Sequence, residues 1–475
     1  MRNRKKTKIV ATLGPACNDV KILEEMMTTG VNVFRVNFSH ADYANVEEKI
    51  QQIREINQRK GYNVAILADL QGPKLRVGVM GEKVKLQKGD TFTFTTEECE
   101  GTDEKAFMTY QNFPKDVKKG EHILVDDGKL LFEVVHTDGE TEVTTKVLRG
   151  GKLKSKKGVN LPNTKISLPA LTEKDVKDAL FAIKMEVDWI ALSFVRTPED
   201  LIQLEQLIQE NSSYKIPIIA KIEKPEALDN INKITAHCDA LMVARGDLGV
   251  EVPMERVPLI QKRLVLQAKR ARIPVIIATQ MMETMISSQV PTRAEVNDVA
   301  NSIMDGADAV MLSGETSVGE YPVEVIQKMR DIIESVEDSP LIIKPDSFIQ
   351  SMNERFISKT VCHQAAHMAD ELGATVISTL TNSGYTAFQV SAWRPKTHIL
   401  AFSSNRRILA MLNLLWGVKA MYYDKLVSTD DTVVDINKIA VENGYAKKGD
   451  YVINLTSMPV QEQGMVNTLR VSQID

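Results

Sequence analysis

IIAKIE at 218–223, ALMVARGD at 240–247, VIIATQ at 275–280 and AVMLSGE at 309–315 are four short apolar runs, each ending in polar residues. Residues two apart on a strand point the same way, so Lys221 and Glu223 emerge on one face while Ile222 faces the other. One α/β unit later Asp247 supplies a second carboxylate with Arg245 beside it, and Thr279 and Ser313 follow at the ends of the next two runs. The pattern predicts two carboxylates, a lysine and a hydroxyl converging on one rim.

Four more runs rich in Val, Ile and Ala lie upstream, at 8–12, 31–36, 63–69 and 187–193. Like the strand portions of the first four, at 217–222, 239–244, 274–278 and 307–312, they are nearly free of charge, as strands buried on both faces are. Between most of them lie stretches of helical period: 20–29, 44–60, 173–185, 255–272 and 295–304. The expected fold class is α/β, a (β/α)8 TIM barrel with its site where the strands end. Polar strand ends alone would indicate only some barrel enzyme.

The rest of the chain divides by texture. After residue 70 the helical period gives way to alternation with turn signals, KVKLQKGDTFTFTT, then HILVDDGKLLFEVV with Asp127-Gly128 as a hairpin turn, then TEVTTKVL. We expect barrel at 1–70, an inserted small β-barrel lid at 71–169, barrel again at 170–339 with Thr172 as an N-cap, and a C-terminal α/β domain at 340–475. EDSPLIIKPDS reads as the linker into that last domain. A length of 475 residues suits about three domains.

A net charge of -4 gives no general attraction to nucleic acid or membrane, and no run of about 18 apolar residues is present to span a bilayer. The basic start MRNRKKTKIV runs into Gly14 and Pro15 with too short an apolar portion for a signal peptide. Cys17, Cys99, Cys238 and Cys362 are scattered, as reduced thiols of a cytoplasmic protein would be.

The segments TKIVATLGPA, VNVFRVNFSH, GVNLP, AKIEKPEAL, MVARGDLGVEVP, ATQMMETMI, PTRAEVNDVAN and MLSGETSVGEYP, in this order, resemble pyruvate kinase along nearly the whole chain. The resemblance implies transfer of the phosphoryl group of phosphoenolpyruvate to ADP, giving ATP and pyruvate through an enolate stabilised by Mg2+, the last step of glycolysis. It also implies a regulatory C-terminal domain and a homotetramer.

The residues suit that chemistry in their own right. Phosphoryl transfer is catalysed mostly by positioning and cationic stabilisation. Glu223 and Asp247 are hard oxygen donors for Mg2+, with Mn2+ as a substitute, and Lys221 is the point charge beside them. A buried ion pair that merely supports the barrel is the bland alternative for Lys221 and Glu223. Gly246 is either a turn glycine or, as the resemblance implies, part of the cradle for the substrate carboxylate. Thr279 is the hydroxyl that the family places near the carbon to be protonated, with Ser313 and Glu315 on a water chain behind it; the alternative is a hydroxyl bonded to its own backbone. Thr292 and Glu295 form a capping box and are read as structural.

Arg35 resembles the phosphate clamp of phosphoenolpyruvate. Asn37, Phe38, Ser39 and His40 match the segment that lines the nucleotide, although a capping or packing role suits His40 equally. Arg76 and Lys157 lie at the two hinges of the lid, where closure brings cations onto phosphates. Lys152, Lys154 and Lys156 are read as solvated. In many family members Asn37, Ser39, Asp69 and the backbone of the next residue, here Leu70, hold K+. There a Thr-Lys pair follows the aspartate, with a glutamate three residues on, whereas this chain has ADLQGPKLRVG, with Lys74 in the acidic position. An ammonium in place of a carboxylate reverses the local field, so the expected activity is independent of K+, with Lys74 taking its place.

Thr381, Asn382, Ser383, Gly384 and Thr386 precede and open a helix. They are either an ordinary capped turn or, by resemblance, the cradle of a phosphorylated effector. Two alternatives remain: another Mg2+-dependent barrel enzyme acting on phosphoenolpyruvate or a 2-oxo acid, which would lack the lid and the nucleotide segment, and a non-catalytic binding relative, which would have lost Lys221, Asp247 or Thr279.

Overall fold

The computed structural model describes residues 5–82, 84–162, 164–339, 355–425, 427–458 and 465–475. Eight parallel strands close into a barrel in sequence order: Lys8–Thr12, Val33–Asn37, Ala65–Asp69, Trp189–Leu192, Ile218–Ile222, Ala240–Ala244, Val275–Ala278 and Ala309–Leu312. The first and last pair directly, Lys8 opposite Ala309. Their largely apolar composition follows from burial on both faces: Val10, Leu67, Trp189, Ile219, Met242 and Ile276 fill the interior, while Ile9, Ile66, Ile190, Ala220, Leu241 and Ile277 pack under the outer helices.

The helices begin where the capping chemistry places them. Asp19 caps Val20–Thr29, and reciprocal capping boxes join Thr172 to Asp175 and Thr292 to Glu295. The helix expected at 255–272 is divided into a 3-10 turn, Met254–Arg256, and an α-helix, Val257–Ala271, with a proline in its first turn.

The inserted domain has a main sheet of six strands, with a separate two-stranded ribbon, Lys85–Leu86 with Gly151–Lys152, beside it. Residues 75–78 bridge the two edges of the main sheet, to Gly158 on one side and to Met108 on the other, and so close it. Asp127-Gly128 lies within a four-residue connection, with Val125 facing Leu130, because Asp126 and Asp127 also take left-handed conformations. Asp126 then accepts ion pairs from Lys157 at 2.9 Å and Lys129 at 3.3 Å.

The C-terminal domain is a five-stranded sheet in the order Val418–Tyr422, His398–Ser403, Val376–Leu380, Tyr451–Thr456, Thr468–Gln473; only the last strand is antiparallel. The domain stoppers the barrel's N-terminal end. Leu414 joins the barrel's interior core, Trp189 donates its indole N–H to the carbonyl of Met411 at 3.1 Å, and Lys8 reaches the carbonyl of Val418 at 2.8 Å. Most of the expected linker, 340–347, lies outside the described residues. None of the described helices is long and apolar enough to cross a membrane.

Candidate active site

With the C-terminal domain packed on the bottom of the barrel and the lid inserted after the third strand, two cavities lie at the C-terminal ends of the strands. Asp69 ends the third strand, is 1% exposed, and is shared by two cations. Arg35 Nε lies 2.6 Å from one oxygen and Lys221 Nζ 3.1 Å from the other. Arg35 also donates to the Thr12 hydroxyl at 3.0 Å, which fixes the guanidinium across the first and second strands.

Lys221 is held on three sides: 3.1 Å from Asp69, 3.1 Å from Glu223 and 2.6 Å from the Ser193 hydroxyl. Burial opposes its charge, but Asp69 and Glu223 outweigh burial and the ammonium's pKa is raised. In Asp69 burial likewise pushes up, and Lys221 and Arg35 bring the carboxyl below its ordinary value. Glu223 differs: burial and the like charge of Asp247 push it up against the pull of Lys221, and its second oxygen accepts the N–H of Phe194 at 2.8 Å.

Asp247 sits in the first turn of the helix Arg245–Glu251, half-buried, on the wall of a small cavity shared with Lys74, Phe194 and Lys224. Two carboxylates crowding each other at a cavity, one of them with no cation paired to it among the described residues, form a hard-oxygen donor set short of positive charge. That set fits Mg2+, which binds one or two protein carboxylates and takes its remaining ligands from water and substrate. No group of three or more His, Cys, Asp or Glu forms a self-sufficient metal cage among the described residues.

Thr279 takes a left-handed conformation, φ 69°, which a β-branched residue adopts only under constraint. Its hydroxyl donates to the carbonyl of Ala278 at 2.6 Å and accepts the N–H of Gly246 at 2.7 Å, so the backbone bonding weighed above is present. Arg245 holds the same turn, donating to the Thr279 carbonyl at 2.7 Å while paired with Asp298 at 2.7 Å. A side chain at Gly246 would meet the Thr279 hydroxyl at 3.3 Å, so glycine permits this approach.

Several sequence expectations change here. Glu315 is fully buried and accepts backbone N–H groups from Ser313 at 2.6 Å and Met282 at 3.1 Å, so its oxygens brace the turn after the last strand, and burial pushes its carboxyl up. The ring of Phe38 is 1% exposed and packs against Tyr43 and Phe181, so the nucleotide segment does not use it as a surface. Lys74 does not stand beside Asp69: the chain turns at Gly72, φ 71°, whose N–H is anchored by Asp175, and Lys74 is exposed without an ion pair among the described residues. The Leu70 carbonyl is taken by the Ser193 hydroxyl at 2.6 Å.

Asn37 and His40 line a cavity of about 390 Å³ with Thr12, Asp42 and Lys49, and Asn37 Oδ1 accepts the N–H of Ser39. Arg76 donates to the Lys156 carbonyl at 2.9 Å, and Lys157 pairs with Asp126 inside the lid. In the C-terminal domain the Thr381 hydroxyl accepts the N–H of Gly384, Asn382 and Ser383 are exposed, and Thr386 is buried in the helix Tyr385–Ala392. Sequence reading treated Asp69 only as a cation ligand and overlooked Ser193 and the bracing role of Arg245; no local spacing links these to Lys221 or Thr279.

Residues 4–326 match the family described as "Pyruvate kinase, barrel domain", and residues 359–472 the one described as "Pyruvate kinase, alpha/beta domain". The chain is 42% identical over 475 residues to a pyruvate kinase of Geobacillus stearothermophilus, covering 99% of this chain and 81% of that protein. It is 39% identical over 468 residues to the pyruvate kinase of Mycobacterium tuberculosis, covering 98% of each. The crystal structure of a pyruvate kinase from Cryptosporidium parvum superposes with a TM-score of 0.91 at 32% identity, covering 99% of this chain and 97% of that one.

Proposed function

The chain belongs to the pyruvate kinase family, and from that premise we propose the following roles for its residues. The observation that carries the reading is Lys221 clasped between Asp69 and Glu223 at the mouth of the barrel, next to Asp247. Held as an ammonium, Lys221 faces the migrating phosphoryl oxygens and the negative charge that develops on the enolate. Arg35, braced by Asp69 and Thr12, presents the remaining donors of its fork to the phosphate. Glu223 and Asp247 would hold Mg2+, or Mn2+ in its place, which supplies charge neutralisation across the phosphoryl group and the substrate carboxylate. Gly246 and Asp247 open a helix toward that carboxylate, and the Thr279 hydroxyl stands over the same spot, with Ser313 beyond it for proton delivery.

The cavity of about 390 Å³ lined by Asn37 and His40 suits the nucleotide, with Ser39 between them in sequence and Arg76 and Lys157 supplied by the lid. Independence from K+ follows from an aspartate already shared by two cations, a Leu70 carbonyl already bonded, and a positive Lys74 at the cavity mouth. A phosphorylated effector at residues 381–386, a homotetramer and a cytoplasmic location complete the reading by family. Coupled detection of pyruvate from phosphoenolpyruvate with and without ADP tests it. Pyruvate and ATP only with ADP is the expected result; pyruvate without ADP would favour another barrel enzyme, and none at all a binding relative.

A further inference from the structure

Beneath the lid lies a buried ion pair that the roles above leave unused. Lys224, the residue after Glu223, donates to Glu251 at 2.6 Å, and both side chains are almost wholly enclosed, at 8% and 0% exposure. The same Glu251 oxygen accepts the side-chain N–H of Asn160 at 2.8 Å, and the other oxygen is buried without a hydrogen-bond partner. A desolvated carboxylate with one oxygen unanswered is costly, so the fold retains this pair against its own stability.

Its connections give it a use. Glu251 closes the helix that carries Gly246 and Asp247, one turn beyond Asp247. Lys224 is joined by one peptide bond to Glu223, and it lines the same small cavity as Asp247. Asn160 comes from the lid: its strand, Val159–Asn160, pairs with His122–Val125, and Gly158 just before it bridges to Arg76 at the other hinge. One carboxylate oxygen therefore joins the lid to the carriers of both acidic ligands.

We propose that Glu251 is a positioning residue for phosphoryl transfer: with Lys224 it forms a latch that holds the lid, through Asn160, in register with Glu223 and Asp247. The latch rests on the family reading above but addresses the lid rather than the chemistry. It makes nucleotide capture, which needs the lid cations, more sensitive to its loss than binding of phosphoenolpyruvate, which the barrel holds by itself.

Asn160→Ala tests this in the full-length protein. The KM for ADP rises roughly tenfold, the scale of one hydrogen bond to a charged group, with a smaller change in kcat. Binding of phosphoenolpyruvate with Mg2+ and no ADP, followed by isothermal titration, stays within about twofold, a difference well under 1 kcal/mol. Trypsin cuts faster at the exposed Lys152, Lys154 and Lys156. Lys224→Met with Glu251→Leu removes the pair without stranding a charge, so it folds and shows the same rise in KM for ADP. An Asn160→Ala protein whose KM for ADP and tryptic rate both match the parent would overturn the latch. A parent protein that makes no ATP would instead sink the proposed function, and the tryptic rates would still decide whether Asn160 anchors the lid.

Discussion

Each end of the barrel contains a buried aspartate shared by one lysine and one arginine, and the two ends do opposite things with it. At the C-terminal end Asp69 joins Arg35 and Lys221. At the N-terminal end Asp308 lies 2.9 Å from Lys269 and 2.9 Å from Arg394, the latter reaching down from the C-terminal domain and also bonded to the Gly306 carbonyl. The local chemistry is the same, but the surrounding charge is not. Around Asp69, Glu223 and Asp247 bring the count to three carboxylates against two cations, at a cavity. Around Asp308 two cations share one carboxylate in contact, with Glu337 also acting on Arg394, and the C-terminal domain seals them in. An excess of negative charge facing a cavity invites a metal, while Arg35 and Lys221 offer an anionic phosphate its partners; a cluster sealed into a domain joint has no group free for a ligand and is a structural cost.

The lysines record this difference. Lys221 has its pKa raised, because its carboxylates outweigh burial. Lys269 is brought down to about 7 by burial, with Arg394 adding to it and Asp308 only partly compensating. The same change of residue at the two ends should therefore separate activity from stability. Lys221→Met lowers turnover by at least ~10²-fold, the scale of one lost transition-state donor. Lys269→Met leaves the turnover of folded enzyme near that of the parent and keeps or raises the unfolding midpoint at pH 7, since Asp308 keeps Arg394 as its partner. Steady-state assays and thermal scans on both variants check the contrast, and near-normal turnover in Lys221→Met would erase it.

A smaller effect should appear in the pH dependence of stability. Burial, with Lys419 nearby, also lowers Lys8 from its ordinary 10.5 to about 7. Between about pH 7 and 10.5 the unfolded chain holds protons on these lysines that the folded chain has released, so folding gains stability as pH rises through that window. Each group contributes at most about 1.4 kcal/mol per pH unit, less where neighbours adjust. Denaturation midpoints at pH 7, 8 and 9 should climb in the parent and climb less steeply in the Lys8→Met, Lys269→Met double variant, where Lys5 and Lys419, which burial also lowers, still contribute. A parallel climb in both would show that the N-terminal joint does not hold the titrating charges.

The two ends were also unequally legible. The eight strands could be read because burial on both faces strips charge from a run, and Lys221 and Glu223 could be placed together because strand geometry makes neighbours of residues two apart. The caps at Thr172 and Thr292 are likewise local. Pairings between distant segments leave no such trace: nothing in sequence says that Asp308 meets Arg394, that Asp69 faces Lys221, or that Asn160 lands on Glu251. Lys74 shows the hazard of carrying a position across by charge alone, since the turn at Gly72 directs it away from Asp69. Thr468–Gln473 escaped because an edge strand with mixed exposure lacks the buried run that marked the others.

The smallest expected effect bears most directly on the charge count at the active end. Three carboxylates against two cations leave one negative charge, which one divalent ion more than answers before the anionic substrates arrive, and a further cation finds its ligands already engaged: Asp69 is taken by Arg35 and Lys221, and the Leu70 carbonyl by Ser193. Lys74 adds another positive charge at the cavity wall. Initial rates at fixed Mg2+ and constant ionic strength should then agree within about twofold in potassium, sodium and choline buffers, a difference well below the 1.4 kcal/mol that a tenfold change represents. Activity that is full in potassium and nearly absent in choline would mean that a carboxylate or carbonyl counted here as occupied is released when substrate binds. Repeating the series with Lys74→Glu separates the two causes: if the ammonium is what excludes the monovalent ion, this variant becomes faster in potassium than in choline, and if the prior pairing of Asp69 excludes it, the variant stays indifferent.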